Sequence, residues 1–442
     1  MKKLLALLAA TFMTAALAQV DVDSLDPSGQ TVTFWHQHDE SGRVDALDRF
    51  TADFNANNPY GITVEHLYQG GYGDIFRKML PVLGTSSVPN LVVGYQNQTA
   101  TYAVADGMVD MTPYVNSEKY GLTDEEKADF FQGIYQADVF PSFGNQRFGF
   151  PPNRSMEVIY YNIDWLEELR SAGLIDFDGA PSTPAEFEAA ACAAAQQPFS
   201  GATSDANVLG FEIDPDASNL ASLTFAMGGD IFDYENNEYA YDSPEAIEAM
   251  TFMQDLFNQG CAGLATERYG DQTNFGAGTT LFTIGSTSGL PFYQSAVDEG
   301  AQHEWSVSVV PHVTAEPVQN LYGASVGIPA GKSPEANLAA WLFLKYYTSP
   351  EVQADWAISS NYFPVRQSVA ESMGDYFAAN PTYEKAFGFL PYAKAEPPVP
   401  GYDFVRDEAA AAMVEIAEGA DVTEVMSRLD EFGDIELAAQ SQ

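Results

Sequence analysis

The fold is decided between Thr31 and Gly94, where Thr31-Val32-Thr33-Phe34-Trp35-His36 is followed by Ser41 to Asn57, Ile62 to Leu67, Asp74 to Leu83 and Asn90 to Gly94. Thr31 to Trp35 is rich in β-branched and aromatic residues, which suit a pleated, half-buried strand. In Ser41 to Asn57 the apolar residues Val44, Leu47, Phe50 and Phe54 recur at the spacing of one helix face, and Asn57-Asn58-Pro59 ends the pattern. Ile62 to Leu67 reads as a second strand, Asp74 to Leu83 as a second helix and Asn90 to Gly94 as a third, short strand. Strand, helix and strand in repetition imply a parallel sheet, because parallel neighbours need a crossover connection. Such sheets bind ligands beyond the carboxyl ends of their strands. Those ends carry Trp35-His36, Tyr68 to Tyr72 and Tyr95-Gln96, all aromatic or hydrogen-bonding groups.

Working outward, Phe148-Gly149-Phe150-Pro151-Pro152 marks a crossing, and beyond it Glu157 to Tyr161 is a strand, with Asn162-Ile163-Asp164 opening a helix through Arg170. A largely helical stretch follows, near Pro184–Gln197, Asn219–Met227 and Pro244–Gly260, before a strand at Thr279 to Ile284 and a turn at Gly285 to Gly289. Val307 to Pro311 and Ala324 to Pro329 read as strands, Ser333 to Thr348 as an amphipathic helix, and Tyr362-Phe363-Pro364-Val365 as an extended segment ahead of a helical C-terminus. The largely helical stretch up to Gly289 is a second lobe.

Composition limits the function. The 442 residues are 46% hydrophobic, enough for real cores, and carry 62 acidic against 19 basic side chains, a net charge of −43. A nucleic-acid role would need a basic stripe that is missing, and an anionic lipid surface would repel the chain. Met1-Lys2-Lys3, the apolar run Leu4 to Leu17 and the small-x-small site Ala16-Leu17-Ala18 read as a secretory signal peptide, residues 1–18, cleaved after Ala18. No cysteine stands at that site to take a lipid anchor, so the expectation is a free periplasmic monomer. Cys192 and Cys261 are the two cysteines, and in an oxidising compartment they are expected to form one disulfide between two helical segments.

No catalytic constellation emerges. The five histidines, His36, His38, His66, His303 and His312, form no helical metal-binding pair. His36-x-His38 faces one side of a strand and is read as a ligand-contacting or surface pair rather than a metal site. Gly285-Ser286-Thr287-Ser288-Gly289 centres on Thr287 and so is not the nucleophile elbow of a hydrolase, though its hydroxyls suit polar contacts to a ligand. Gly70-Gly71-Tyr72-Gly73 lacks the lysine of a phosphate loop. No cofactor and no metal is called for.

Thr33-Phe34-Trp35-His36, the helix end Phe54-Asn55-Ala56-Asn57-Asn58-Pro59, the segment Val158-Ile159-Tyr160-Tyr161-Asn162, and Trp341-Leu342-Phe343-Leu344-Lys345 through Ser349-Pro350-Glu351 together resemble the family-1 extracellular solute-binding proteins of bacterial ABC importers, in the branch holding glycerol-phosphate and maltose-type receptors. The resemblance implies an α/β two-lobed clamp, each lobe a mostly parallel sheet flanked by helices. Three hinge crossings would fall near Asn153–Val158, Tyr322–Gly327 and Asn361–Val365. The lobes would be residues 19–154 with 325–361, and 155–324 with 362–442. Closure would be a hinge motion around a cleft, and the partners a small carbohydrate and the transmembrane subunits of an ABC permease. Carried over by position, Tyr72, Gln96, Ser155, Ser286, Gly323 and Tyr362 match ligand-contacting places. Trp35 and His36 join them from the strand ends, and Arg154 from beside the hinge, where it either meets a ligand oxygen or pairs with an acid. Phosphate-binding members offer an arginine where this chain has Asp403, with Arg406 nearby, and their tryptophan-rich segment is here Asp214 to Phe225, without tryptophan. An anion needs a charge-assisted partner, so a neutral sugar or oligosaccharide is expected. The alternatives are a glycerol-phosphate or glycerophosphodiester receptor, a secreted glycoside-active enzyme, and an acidic envelope protein with no ligand.

Overall fold

The structure, a computed structural model, describes residues 20–204, 208–267 and 269–440. The expected signal peptide lies outside them. The first lobe is built on strands β1 (Thr31–His36), β2 (Thr63–Tyr68) and β3 (Leu91–Gly94) and helices α1 (Ser41–Asn57), α2 (Tyr72–Met79) and α3 (Gln96–Val104). β1 runs parallel to β2, Thr31 opposite Thr63 and His36 opposite Tyr68, and parallel to β3 on its other side. The strand Ser325–Gly327 closes the order antiparallel to β3. Alternation along β1 turns Val32, Phe34 and His36 inward, where Phe34 meets the rings of Phe343 and Tyr347 on the helix Pro334–Tyr347. On α1, Leu47, Phe50 and Phe54 are buried as the spacing predicts. Asn58 ends α1 by donating Nδ2 to the carbonyls of Phe54 and Ile62 while Oδ1 accepts from the amides of Tyr60 and Ile62.

The second lobe holds a larger sheet in the order Ala262–Leu264, Leu209–Ile213, Thr280–Ser286, Ser155–Asn162, Gln319–Tyr322 and Ala393–Ala395, with Trp305–Ser308 also paired to Ser155–Asn162. Here the sheet is mixed. Ser155–Asn162 is antiparallel to each of its three partners, whereas Thr280–Ser286 and Ala262–Leu264 lie parallel to Leu209–Ile213. All eight residues of Ser155–Asn162 are buried, as befits a central strand covered on both faces. The chain enters this strand directly from the first lobe, so its direction is set by the crossing and not by a βαβ unit.

Three crossings lie side by side. The Phe363 amide donates to the Arg154 carbonyl at 2.8 Å, and Ser155 pairs with Tyr322 across the sheet. Gly323, between Tyr322 and the strand Ser325–Gly327, holds φ +139°, where a Cβ would meet the Arg154 backbone at 3.2 Å. After the third crossing, Arg366, Gln367 and Ser368 all bond to Asp129, on the first-lobe side, before the chain packs its last long helices, Tyr402–Ala417 and Val422–Gln440, on the second lobe. Cys192 and Cys261 are joined in a disulfide that ties the helix Pro184–Gln196 to the turn after Pro244–Asn258.

Candidate functional site

A cavity of about 720 Å³ lies between the lobes, at the carboxyl ends of the strands. From the first lobe its wall is Gln37 to Glu40 after β1, Tyr68 to Tyr72 after β2 and Tyr95 after β3. From the second it is Asp214 to Asn219 after Leu209–Ile213 and Gly285 to Tyr293 after Thr280–Ser286, with Ser155, Glu157, Tyr322 and Gly323 at the crossings.

Of the residues singled out from sequence, Tyr72, Ser155, Ser286, Gly323 and Tyr362 lie on this wall. Gln37 Nε2 donates to the Tyr72 hydroxyl at 2.8 Å, and the Tyr72 and Tyr95 rings lie 4.5 Å apart. The other five lie elsewhere. His36 shares the inward face of β1 with Phe34, and its Nε2 sits 3.0 Å from Nδ1 of His66, whose Nε2 faces Asp48 at 2.8 Å. Trp35 packs beneath the wall, with Tyr72 and Tyr95, against the small core of α2 and β3. Gln96 and Arg154 converge on Asp138: Arg154 donates to Asp138 Oδ2 and to Ser325 Oγ, and Gln96 Nε2 donates to Asp138 Oδ1 at 3.1 Å. Of the two roles weighed for Arg154, the structure places it in the acid pair. Both residues border a smaller cavity of about 240 Å³ behind the cleft. Asp403 accepts from Gln98 at 2.8 Å, and its burial pushes the carboxyl above its ordinary range.

Among the wall residues Arg43 escaped the sequence reading, His38 entered it only as half of a ligand-contacting or surface pair, and Arg406 only as a neighbour of Asp403. Arg43 donates to Glu40 in its own lobe, to the Ser360 carbonyl and, across the cleft, to the Ser288 carbonyl, while its guanidinium lies 4.9 Å from the Tyr362 ring. His38 is buried, and burial followed by the charge of Arg43 pushes its imidazole well below the ordinary value, so the ring is neutral. Arg406 donates to Glu396, Asp216 and Ser218. Glu157 lies within an apolar strand, and that lone carboxyl inside Ser155–Asn162 was the one signal a sequence offered for it.

Seven carboxyl side chains but only two arginines, Arg43 and Arg406, line the cavity, and both arginines already hold protein acceptors. On the same wall Gln37 Oε1, Glu40 Oε2, Glu157 Oε2 and Asn219 Oδ1 are buried without a hydrogen-bond partner. Gln37, Glu40 and Asn219 present acceptors here, and Glu157 does so when ionised. Such unfilled acceptors are matched by hydrogen-bond donors on a ligand. Tyrosines and Phe292 supply flat apolar faces beside these polar groups, the mixture typical of small-molecule pockets.

Two lobes, three crossings and a polar, aromatic cleft define a ligand-binding receptor. The family described as bacterial extracellular solute-binding protein matches residues 49–385, and the chain belongs to that family, whose members serve ABC importers as solute receptors. It is 22% identical over 370 residues, 80% of this chain and 79% of the relative, to the sn-glycerol-3-phosphate-binding periplasmic protein UgpB of Shigella dysenteriae, and to the same extent to UgpB of Escherichia coli K12. Among solved structures, UgpB of Mycobacterium tuberculosis in complex with glycerophosphocholine is similar at a TM-score of 0.77 and 22% identity, covering 94% of this chain and 100% of that one. The GacH receptor of Streptomyces glaucescens is similar at 0.75 and 18% identity, covering 92% and 98%. Both share the two-lobed fold.

Proposed function

We propose that this receptor is an exported, non-enzymatic periplasmic monomer that captures a small carbohydrate without an anionic group, a sugar or oligosaccharide. The cleft closes over the ligand and hands it to the transmembrane subunits of an ABC permease. The observation that carries the reading is the wall itself: unpartnered acceptors from both lobes, with both arginines engaged by protein groups. Sugar hydroxyls meet such acceptors, and tyrosine faces suit sugar rings. Similar receptors hold tagatose, maltose and acarbose, which supports the same class. The described residues contain no helix long and apolar enough to cross a membrane.

The competing reading is a glycerophosphate or glycerophosphodiester receptor, favoured by UgpB relatives that bind sn-glycerol-3-phosphate or glycerophosphocholine. It requires Arg406 or Arg43 to leave its present partners. A thermal-shift screen of residues 19–442 separates the two, because a ligand that binds only the folded state raises the melting temperature. The carbohydrate reading expects a rise with sugars and none with glycerol phosphate; a rise confined to phosphate esters overturns it.

A further inference from the structure

The charge cluster on the cleft floor holds more carboxyl groups than cations. Three carboxyls, Glu157, Asp216 and Glu396, surround the single guanidinium of Arg406. Arg406 is committed to two of them, donating to Glu396 at 2.5 Å and to Asp216 at 3.1 Å. Glu396 is further satisfied by Ser218, Asn320 and Tyr402, at 2.6, 2.8 and 2.7 Å. Glu157 is left with the Tyr322 hydroxyl, and its Oε2 has no partner although the residue is only 6% exposed. Burial, then the charge of Asp216, raises its carboxyl to about 8; Glu396 acts in the same direction, and Tyr322 and Arg406 oppose it. Tyr160 is the other titratable group that faces it.

Glu212 shows that this is not what every strand carboxylate of the lobe experiences. It also lies buried in a strand, yet both its oxygens accept from Asn274 Nδ2, and Thr280 adds a second donor at 2.7 Å. It faces no part of the cleft cavity. The unpartnered carboxyl is the one on the ligand side.

We propose that Glu157 is a specificity-determining residue of the cleft and that it receives a protonated amine carried by the carbohydrate. This rests on the carbohydrate reading above and narrows it to amino-substituted sugars and polyols. A carboxylate without a countercharge in a low-dielectric pocket is costly, and an ammonium supplies the missing charge through a charge-assisted hydrogen bond, about twice as strong as a neutral one. A neutral hydroxyl brings no countercharge, so beside it the carboxyl stays protonated. The wall as a whole, seven carboxyls against two engaged arginines, attracts a cation, and the Tyr95 and Tyr322 rings beside the cluster offer it π faces. On docking, the Glu157 O–H bond breaks, the proton passes to the buffer, and the carboxylate accepts from the ammonium.

The test is isothermal titration of the mature full-length chain at pH 7 with matched pairs: N-methylglucamine against glucitol, and glucosamine against glucose. The alkyl amine of N-methylglucamine stays protonated at this pH, as a lysine does. Titrations in two buffers of different protonation enthalpy count the protons released. The expected result is that the amine member of a pair binds about tenfold tighter or more, with nearly one proton released per N-methylglucamine bound. In E157Q the affinity ratio within each pair falls to about one and the proton release disappears. Proton release by the wild type is informative by itself, whatever the variant's yield. Equal binding of both members without proton release, or a preference that survives in E157Q, overturns the inference and leaves the carbohydrate reading standing. If no member of either pair and no other sugar binds, both fall together.

Discussion

Two charge clusters flank the crossings between the lobes, and they are built differently. In the hinge, Asp138 and Arg154 are each 1% exposed and pair one to one, with Ser325 and Gln96 completing the carboxylate and the Asn153 carbonyl taking a second guanidinium proton. On the cleft floor, Arg406 serves two carboxylates and leaves Glu157 over. A closed set of partners holds three crossing strands together, whereas an open set leaves a place for something to bind. Proximity to the cleft therefore does not identify a ligand contact; an unfilled hydrogen-bonding capacity does.

Removing one partner from the closed cluster has the largest expected effect. Arg154→Met leaves Asp138 buried and unpaired, and a loss of about 3–5 kcal/mol is expected in urea denaturation. A loss under 1 kcal/mol would mean that the hinge cluster is not closed. In the open cluster the effect is a pH dependence. The Glu157 carboxyl, raised to about 8 from 4.5, contributes stability that is fully present below pH 4.5 and is lost as pH rises through 8. Ligand-free wild type should lose up to about 1.4 kcal/mol per pH unit across that window relative to E157Q. Parallel pH profiles of the two proteins would place Glu157 in an open, hydrated setting.

Two smaller changes sharpen the contrast. Glu212→Gln breaks a satisfied carboxylate away from the cleft, so about 1–3 kcal/mol of stability should go while ligand affinity stays within twofold. Gln96→Ala removes one of several donors to Asp138 and should cost about 1 kcal/mol with no change in ligand selectivity. A tenfold change in selectivity would return Gln96 to the ligand site.

Much of the fold was legible because it rests on periodicity. α1 spans Ser41–Asn57 as its apolar spacing predicts, and β1 ends one residue beyond the expected Trp35, at His36. The direction of Ser155–Asn162 was not legible, since strand pairing is a long-range choice that the segment's own residues do not encode. The same limit applied to the site. Strand ends announced where the cleft lies, but whether Trp35 or His36 faces it depends on which face of β1 the helix Pro334–Tyr347 covers, some three hundred residues later. Gln96 read as a ligand group, and Arg154 as either a ligand group or one of an acid pair, because Asp138, their partner, has no sequence signal of its own. Glu157 carried the opposite signature, a carboxyl inside an apolar strand.

The most direct test of this contrast is amide hydrogen exchange of the full mature chain, with and without the carbohydrate that gives the largest thermal shift. Protection is predicted on both walls together, at residues 37–43 and 68–74 of the first lobe and 155–157 and 285–293 of the second, with residues 138 and 150–154 unchanged. Protection confined to one lobe, or appearing at the Asp138–Arg154 cluster while residues 155–157 stay unaffected, would contradict the assignment of the open cluster to the ligand.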